Sequence, residues 1–239
     1  MIFLGTSGWS YNHWIGKFYP ENMDRREWLS FYAKHFTTAE INSTFYRFPF
    51  RNVLKGWYRK TPKGFVFSLK ANRIITHVRK LRNIEDVLKR FYESAEILQE
   101  KSGPVLFQFP PSLKKDLNLL SDFLEKLDKK YKNVIEFRHE SWFCKEVYSL
   151  LKKYEAGYCI VSAPRLPCEI EVTGKFAYIR WHGSEKWYSY DYTEDELKYW
   201  AETIRKLSGK CKEVYGYFNN DYEGYAVKNC LRLKKMLGV

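Results

Sequence analysis

Val134-Ile135-Glu136-Phe137-Arg138-His139, running on into Glu140-Ser141-Trp142, decides how this chain is read. Val134 to Phe137 has the β-branched and aromatic character of a strand. Side chains two apart on a strand share a face. Ile135 and Phe137 therefore make one apolar face, while Glu136 and Arg138 set an acid and a base on the other. Charges on a strand that is otherwise buried are costly unless they are paired or functional.

The same division recurs along the chain. Strands are expected at 2–7, 37–43, 65–72, 105–109, 134–139, 158–163, 176–182 and 214–219. Helices are expected at about 24–35, 52–59, 85–100, 117–130, 145–154, 193–207 and 225–237, from apolar residues at helical spacing and from start and stop signals. Among these signals are the box Thr193-Glu194-Asp195-Glu196 and Gly103 as the stop of the third helix. Eight strands alternating with seven helices imply parallel strands and right-handed crossovers. This is the pattern of a closed (β/α)8 TIM-type barrel of about 250 residues. The stretch from Ala163 to Lys175 is short and proline-marked, so the crossover between strands six and seven is expected to be degenerate. An open doubly wound sheet is the alternative. No linker or low-complexity run divides residues 1–239, so one domain is expected.

Sorted by parity, the other strands repeat the split. Glu40 and Asn42 oppose Ile41. Lys70 and Asn72 oppose Leu69 and Ala71, and Gln108 opposes Phe107 and Phe109. Arg180 and His182 oppose Ile179 and Trp181; Asn219 and Asp221 oppose Phe218. The apolar faces must meet the helices, so the polar faces point into the barrel, toward the C-terminal mouth where such barrels carry their sites. Glu40, Glu136, His182 and Asp221 are the candidates for acid–base work. Lys70, Arg138 and Arg180 suit phosphate or carboxylate, and Asn42, Asn72, Gln108 and Asn219 add hydrogen bonds. His139 lies at a strand end, as a site residue or just behind one. Aromatic residues crowd the same end: Trp9, Tyr11, Trp14, Phe45, Tyr46, Trp142, Trp187, Tyr188, Tyr190 and Tyr222. They offer flat walls for a base or sugar ring. Residue packing alone would account for many of them, and a self-paired ion network would account for the charges. His35 and His77 read as surface residues.

Composition narrows the partners without naming one. The 239 residues carry a net charge of +13 and 18% aromatic residues, which suits a nucleic-acid or phosphate partner. A lysine-rich solvated surface gives the same balance. Five cysteines with no Cys-x-x-Cys read as reduced thiols. Charges interrupt every apolar run well before the ~18 residues of a membrane span. A cytoplasmic protein is expected, since the N-terminus opens directly into a strand with no signal-peptide pattern. A divalent metal is compatible with the acids and His182, but no His-Glu-x-x-His motif or close acidic cluster specifies one.

Several motifs, in order, carry a resemblance. They are Gly5-Thr6-Ser7-Gly8-Trp9-Ser10-Tyr11, Glu40-Ile41-Asn42-Ser43-Thr44-Phe45-Tyr46, Phe67-Ser68-Leu69-Lys70-Ala71-Asn72-Arg73, Glu136-Phe137-Arg138-His139-Glu140-Ser141-Trp142, Arg180-Trp181-His182-Gly183 and Phe218-Asn219-Asn220-Asp221. Over nearly its whole length the chain resembles the YecE-like family, domain of unknown function 72. The resemblance implies a (β/α)8 barrel similar to the endonuclease IV and xylose isomerase type, and by that analogy a DNA-related role. It brings no settled activity. Two departures stand out. Ser162-Ala163-Pro164 replaces a frequent acid on strand six. Ser184 replaces a frequent Arg after His-Gly, with Lys186 as a substitute cation. The lining holds one or two histidines, which argues against a multi-zinc site.

Three functions follow as expectations. The first is a hydrolase acting on a phosphate-containing or nucleic-acid substrate, with Arg138, Arg180 and Lys70 on the phosphate, Glu136 or Glu40 as base and His182 as acid. The second is a non-catalytic nucleic-acid or nucleotide binder, marked by salt-sensitive affinity without turnover. The third is a sugar-phosphate isomerase or lyase, marked by preference for small sugar phosphates.

Overall fold

The computed structural model describes residues 1–239. In chain order the elements are β1 (Ile2–Thr6), α1 (Trp28–His35), β2 (Thr38–Ile41), α2 (Ser43–Tyr46), α3 (Arg51–Lys60), β3 (Val66–Lys70), α4 (Glu85–Glu96), β4 (Ser102–Gln108), α5 (Leu117–Glu125), β5 (Asn133–Glu136), α6 (Lys145–Lys153), β6 (Gly157–Ser162), β7 (Phe176–Trp181), α7 (Glu194–Ser208), β8 (Glu213–Phe218) and α8 (Tyr225–Leu237). All eight strands are parallel, and around the sheet they run β1-β8-β7-β6-β5-β4-β3-β2. The expected (β/α)8 barrel is therefore the observed fold. No helix spans the connection from Ser162 to Phe176, which is the degenerate crossover. No helix is long and apolar enough to cross a membrane.

Strand parity sorts the core into two bodies. The larger holds 57 buried residues between sheet and helices, including Leu4, Ile41, Phe67, Phe107, Ile135, Ile179 and Phe218. The smaller fills the barrel with Leu106, Val134, Cys159, Val161, Phe176, Tyr178, Tyr215 and Tyr217. Above it the tyrosine hydroxyls meet strand hydroxyls: Tyr178 lies 2.7 Å from Ser68 Oγ, and Tyr217 lies 2.7 Å from Thr38 Oγ1. These bonds supply partners for polar groups that burial would otherwise leave unsatisfied.

The sheet closes between β1 and β2 with a single bridge, Ser7 to Glu40, beside the bond from Gly8 N–H to the Glu40 carbonyl. Below that point the hydroxyl of Tyr32, from α1, enters the gap. It accepts from the Thr6 amide at 2.9 Å and donates to the Thr38 carbonyl at 3.1 Å. A side chain thus stands in for the missing ladder bonds. Gly5 makes room for the approach, because a Cβ there would meet the Thr38 oxygen at 2.2 Å.

Local details depart from the expected boundaries. The α-helix of α4 ends at Glu96, not Glu100: Gln99 adopts a left-handed φ of 50°, and a 3-10 turn at Gln99–Lys101 leads into β4. Gly103 is consequently not a helix stop. It lies inside β4, where a Cβ would strike Val66 Cγ1 at 2.4 Å. The capping box at Thr193 and Glu196 forms as read.

Tyr32→Phe should cost about 1–3 kcal/mol, because it strips two buried backbone groups of their shared partner. Denaturant melts of the two proteins measure it. Equal midpoints would mean that water replaces the hydroxyl without loss.

Candidate functional site

The strand register brings Glu40, Glu136, Arg180 and His182 into the interior at the mouth, all fully buried. Arg180 joins them. Its Nη2 donates to Glu40 Oε1 and its Nη1 to Glu136 Oε2, each at 2.6 Å. Glu40 also accepts from Ser7 Oγ and, at 2.6 Å, from the Tyr178 hydroxyl. Asn42 Nδ2 holds Ser7 Oγ at 2.6 Å. Glu136 Oε1 accepts from Arg138 Nε and lies 3.2 Å from His182 Nε2. Asn219 Nδ2 supports the other side of that ring, 3.0 Å from Nδ1.

The electrostatics follow from these pairings. Burial pushes the Glu136 carboxyl up, but Arg138, Arg180 and His182 together outweigh it and hold it well below the usual range. Burial, then Arg138 and Arg180, hold His182 far below its ordinary value against the pull of Glu136, so the imidazole is neutral. Arg180 is fixed as a cation: burial opposes its charge, and Glu136 and Glu40 overcome that. Glu136 is thus an ionised acceptor, and the oxygens of both carboxylates are engaged.

Two cations at the mouth keep free donors. Arg138 bonds Glu136 and His182 through Nε and Nη2, leaving Nη1 without a partner, and its guanidinium lies 4.8 Å from the Trp187 ring centre. Lys70 is only partly covered. Its Nζ has neither hydrogen bond nor ion pair and sits 4.1 Å from the centre of the Phe45 ring. Burial, then Arg180 and Arg138, push the Lys70 amine down to about 7 against the opposing pull of Glu136 and Glu40. The ring face favours the ammonium by only about 0.5–2 kcal/mol.

His77 belongs here too, although its basic surroundings read as surface. It lies in a π-helical turn, Ile74–Val78, its ring 4.9 Å from Phe45 and 2.8 Å from Thr76 Oγ1 through Nδ1. Burial, then Lys70, Arg73 and Arg138, push it down to about 4. A π-turn is the one local signal that marks it, because such turns gather at functional sites. Periodicity reads α-helix or loop there and misses it. Ser7 and Tyr178 were likewise not singled out, while Phe45 and Trp187 were read only as aromatics of the mouth. Tyr178 shares the inward face of Arg180, so an extension of the same rule finds it.

Other expected site residues lie outside this cluster. Asp221 sits past the end of β8, where it accepts from Trp14 Nε1 at 2.7 Å and pairs with His13 at 3.0 Å. Burial pushes it up to about 6, against the pull of Trp14 and His13. His139 bonds Ser141 and caps a 3-10 turn, so it serves the loop after β5. Trp142 is buried against Phe109 and Phe137 and donates to the Leu113 carbonyl, on the helix side of the sheet. Trp9 packs on Trp57 and Phe67, also outside the barrel. Asn72 ties the Thr44 carbonyl to the Ile74 amide. Tyr190 bonds Glu196, as does Ser184. Tyr46 is 71% exposed at the rim. Gln108 stands beside Glu136 in register and is partly exposed. Tyr11 bonds the Ser7 carbonyl at the edge of the cluster. No three His, Cys, Asp or Glu side chains converge as a metal-binding group. A cavity of about 390 Å³ lies at the opposite end, where Met1, Leu127 and Phe176 line it, remote from these charges.

The family model described as Protein of unknown function DUF72 matches residues 3–239. The chain belongs to the DUF72 family. Among its relatives is the UPF0759 protein YunF of Bacillus subtilis (strain 168), 26% identical over 273 aligned positions that cover all of this chain and 95% of YunF. The UPF0759 protein YecE of Escherichia coli (strain K12) is 29% identical over 61% of this chain and 51% of its own. A DUF72 family protein of Thermotoga maritima MSB8, solved by crystallography, superposes with a TM-score of 0.92 at 32% identity, covering 100% of both chains. One from Enterococcus faecalis V583 shares the fold, with a TM-score of 0.87 at 24% identity over all of this chain and 96% of that one.

Two measurements probe the charges of this DUF72 barrel. Arg180→Met should cost about 3–5 kcal/mol in denaturant melts, because it leaves two buried carboxylates without their shared cation. A cost below about 1 kcal/mol would show that the remaining bonds suffice. Lys70 titrates lower when folded than unfolded, so the unfolded chain binds more protons between about pH 7 and 10.5. Stability from this group therefore rises with pH across that window. Lys70→Met should be the more stable protein at neutral pH, by about 2–4 kcal/mol, with the gain vanishing near the top of the window. A difference that stays constant with pH would contradict the depressed amine.

Proposed function

We propose that the mouth of this barrel binds a phosphate-bearing ligand, with Arg138 receiving the phosphate and Lys70 facing the same ligand. One observation carries the reading: these two cations keep donors without partners, while every carboxylate oxygen of Glu40 and Glu136 is already engaged. The free guanidinium donor of Arg138 suits a phosphate oxygen, and Lys70 adds a second cation when protonated. The hydrolytic role for Glu136 as general base is less well supported. A base must accept a proton, and Glu136 is held ionised by three neighbours whose bonds a proton would break.

A nucleic-acid ligand is the second reading, favoured by exposed aromatic rings on the mouth loops. Tyr46 is 71% exposed, Phe50 75%, Tyr188 46% and Tyr222 59%. Such rings stack on unpaired bases, and the net charge of +13 adds affinity that salt removes.

Calorimetric titration with inorganic phosphate, ribose phosphate, ribose and a short single-stranded oligonucleotide separates the two. The phosphate reading expects ribose phosphate to bind, ribose to fail, and Arg138→Met to weaken binding about 10- to 100-fold, the worth of one charged hydrogen bond. Tight binding of the oligonucleotide alone, lost in high salt and indifferent to Arg138, would replace it with the second reading.

A further inference from the structure

Lys70 closes β3 at the mouth, inside the barrel, with an aromatic face beneath its amine and no oxygen to bind. Glu40 and Glu136, the acids whose charges act on it, are saturated by Arg180, Ser7, Tyr178, Arg138 and His182. Their charges are moreover matched by the two guanidiniums. A lysine kept only to pair an acid would have an acid to pair. Its amine is pushed down to about 7, so near neutral pH a large fraction carries a lone pair. Arg180 on β7, Glu136 on β5, Arg138 just beyond it and Glu40 on β2 are the charges that act on it, and His77 lies against the same phenyl ring. Apolar cover and neighbouring cations are the arrangement that turns a lysine into a nucleophile toward carbonyl carbon.

We propose that Lys70 forms an imine with a phosphate-bearing aldehyde or ketone whose phosphate lies on Arg138. The inference rests on the phosphate reading above and names the substrate class for the same site. The Lys70 Nζ lone pair attacks the carbonyl carbon, and the C=O π pair moves to oxygen. That oxygen takes a proton, and the amine loses one, giving the carbinolamine. A second proton on the oxygen lets it leave as water while the nitrogen lone pair forms C=N. One water is released for each imine formed, and no oxidant or reductant is used. The imine nitrogen, protonated, is an electron sink for cleavage or proton loss at the neighbouring carbon. The His77 ring lies 4.9 Å from the Phe45 ring that also carries the Lys70 amine.

The test treats the intact protein with dihydroxyacetone phosphate or glycolaldehyde phosphate at neutral pH and adds sodium borohydride, which fixes any imine as a secondary amine. Intact mass and peptide mapping then locate the adduct. The expected result is one adduct on Lys70, absent in Lys70→Met and Lys70→Arg. It should fall about 10-fold in Arg138→Met or with unphosphorylated dihydroxyacetone, as for loss of one charged hydrogen bond. No adduct from either probe, or adducts spread over surface lysines and unchanged in Lys70→Met, would overturn the inference. The phosphate titration distinguishes the failures. Phosphate bound without an adduct leaves the anion site standing and removes the imine; phosphate unbound by wild type removes both.

Discussion

The guanidinium of Arg180 is the constraint from which the upper half of this barrel follows. It is fully buried and crosses the interior from β7 to reach Glu40 on β2 and Glu136 on β5. Burying an ion costs several kcal/mol even after relaxation, and only close, well-directed partners offset it. Each of the three charges is therefore tolerable because the other two are there. That mutual dependence locks three strands at one height. It also leaves no oxygen of either acid without a partner, which a list of residue types does not reveal.

Below this layer the interior changes character by steps. Phe176, Val134 and Leu106 fill the lower barrel, and Tyr178 and Tyr217 stand above them with their rings in the apolar layer. Their hydroxyls reach Glu40, Ser68 and Thr38. Tyrosine suits this position because one end is apolar and the other needs a hydrogen-bond partner. The hydroxyls of Tyr178 and Tyr217 are each partnered there, so polarity rises through the layer without an unpaired hydroxyl. Tyr32 applies the same solution at the β1–β2 seam, from outside the sheet.

These devices differ in how visible they are in the chain. Parity along single strands was enough to place Glu40, Glu136, Arg180 and His182 on the inward face, because alternation is set by backbone geometry within a few residues. Parity failed once the strand ended. Asp221 keeps the count of Asn219 but turns away to Trp14 and His13, and His139 folds back on its own loop. The seam role of Tyr32 depends on where α1 docks, and it reads in sequence only as a buried helix face. His77 was hidden by its neighbours: Arg73, Arg79 and Lys80 suggest solvent, yet a π-turn carries the ring to Phe45. Above all, the sequence lists three acids and three cations without saying which pairs form. The unpaired status of Lys70 is a property of the assembled network alone.

That leftover charge connects the two readings of the mouth. With Glu40 and Glu136 set against Arg180 and Arg138, and His182 neutral, the cluster is balanced when Lys70 is uncharged. An ammonium there adds a charge with no partner under apolar cover, which is why the amine gives up its proton readily. An arriving phosphate reverses the balance, since it brings negative charge that a cation at Lys70 would answer. A protonated imine supplies that cation on the same nitrogen, next to the carbon whose bonds it would weaken. In the proposed imine the ligand's phosphate would do more than anchor: it would offset the charged intermediate in a site that disfavours a free ammonium. On the proposal above, phosphate recognition and a nucleophilic lysine would be one electrostatic arrangement, set by the pairing of Arg180 with both acids.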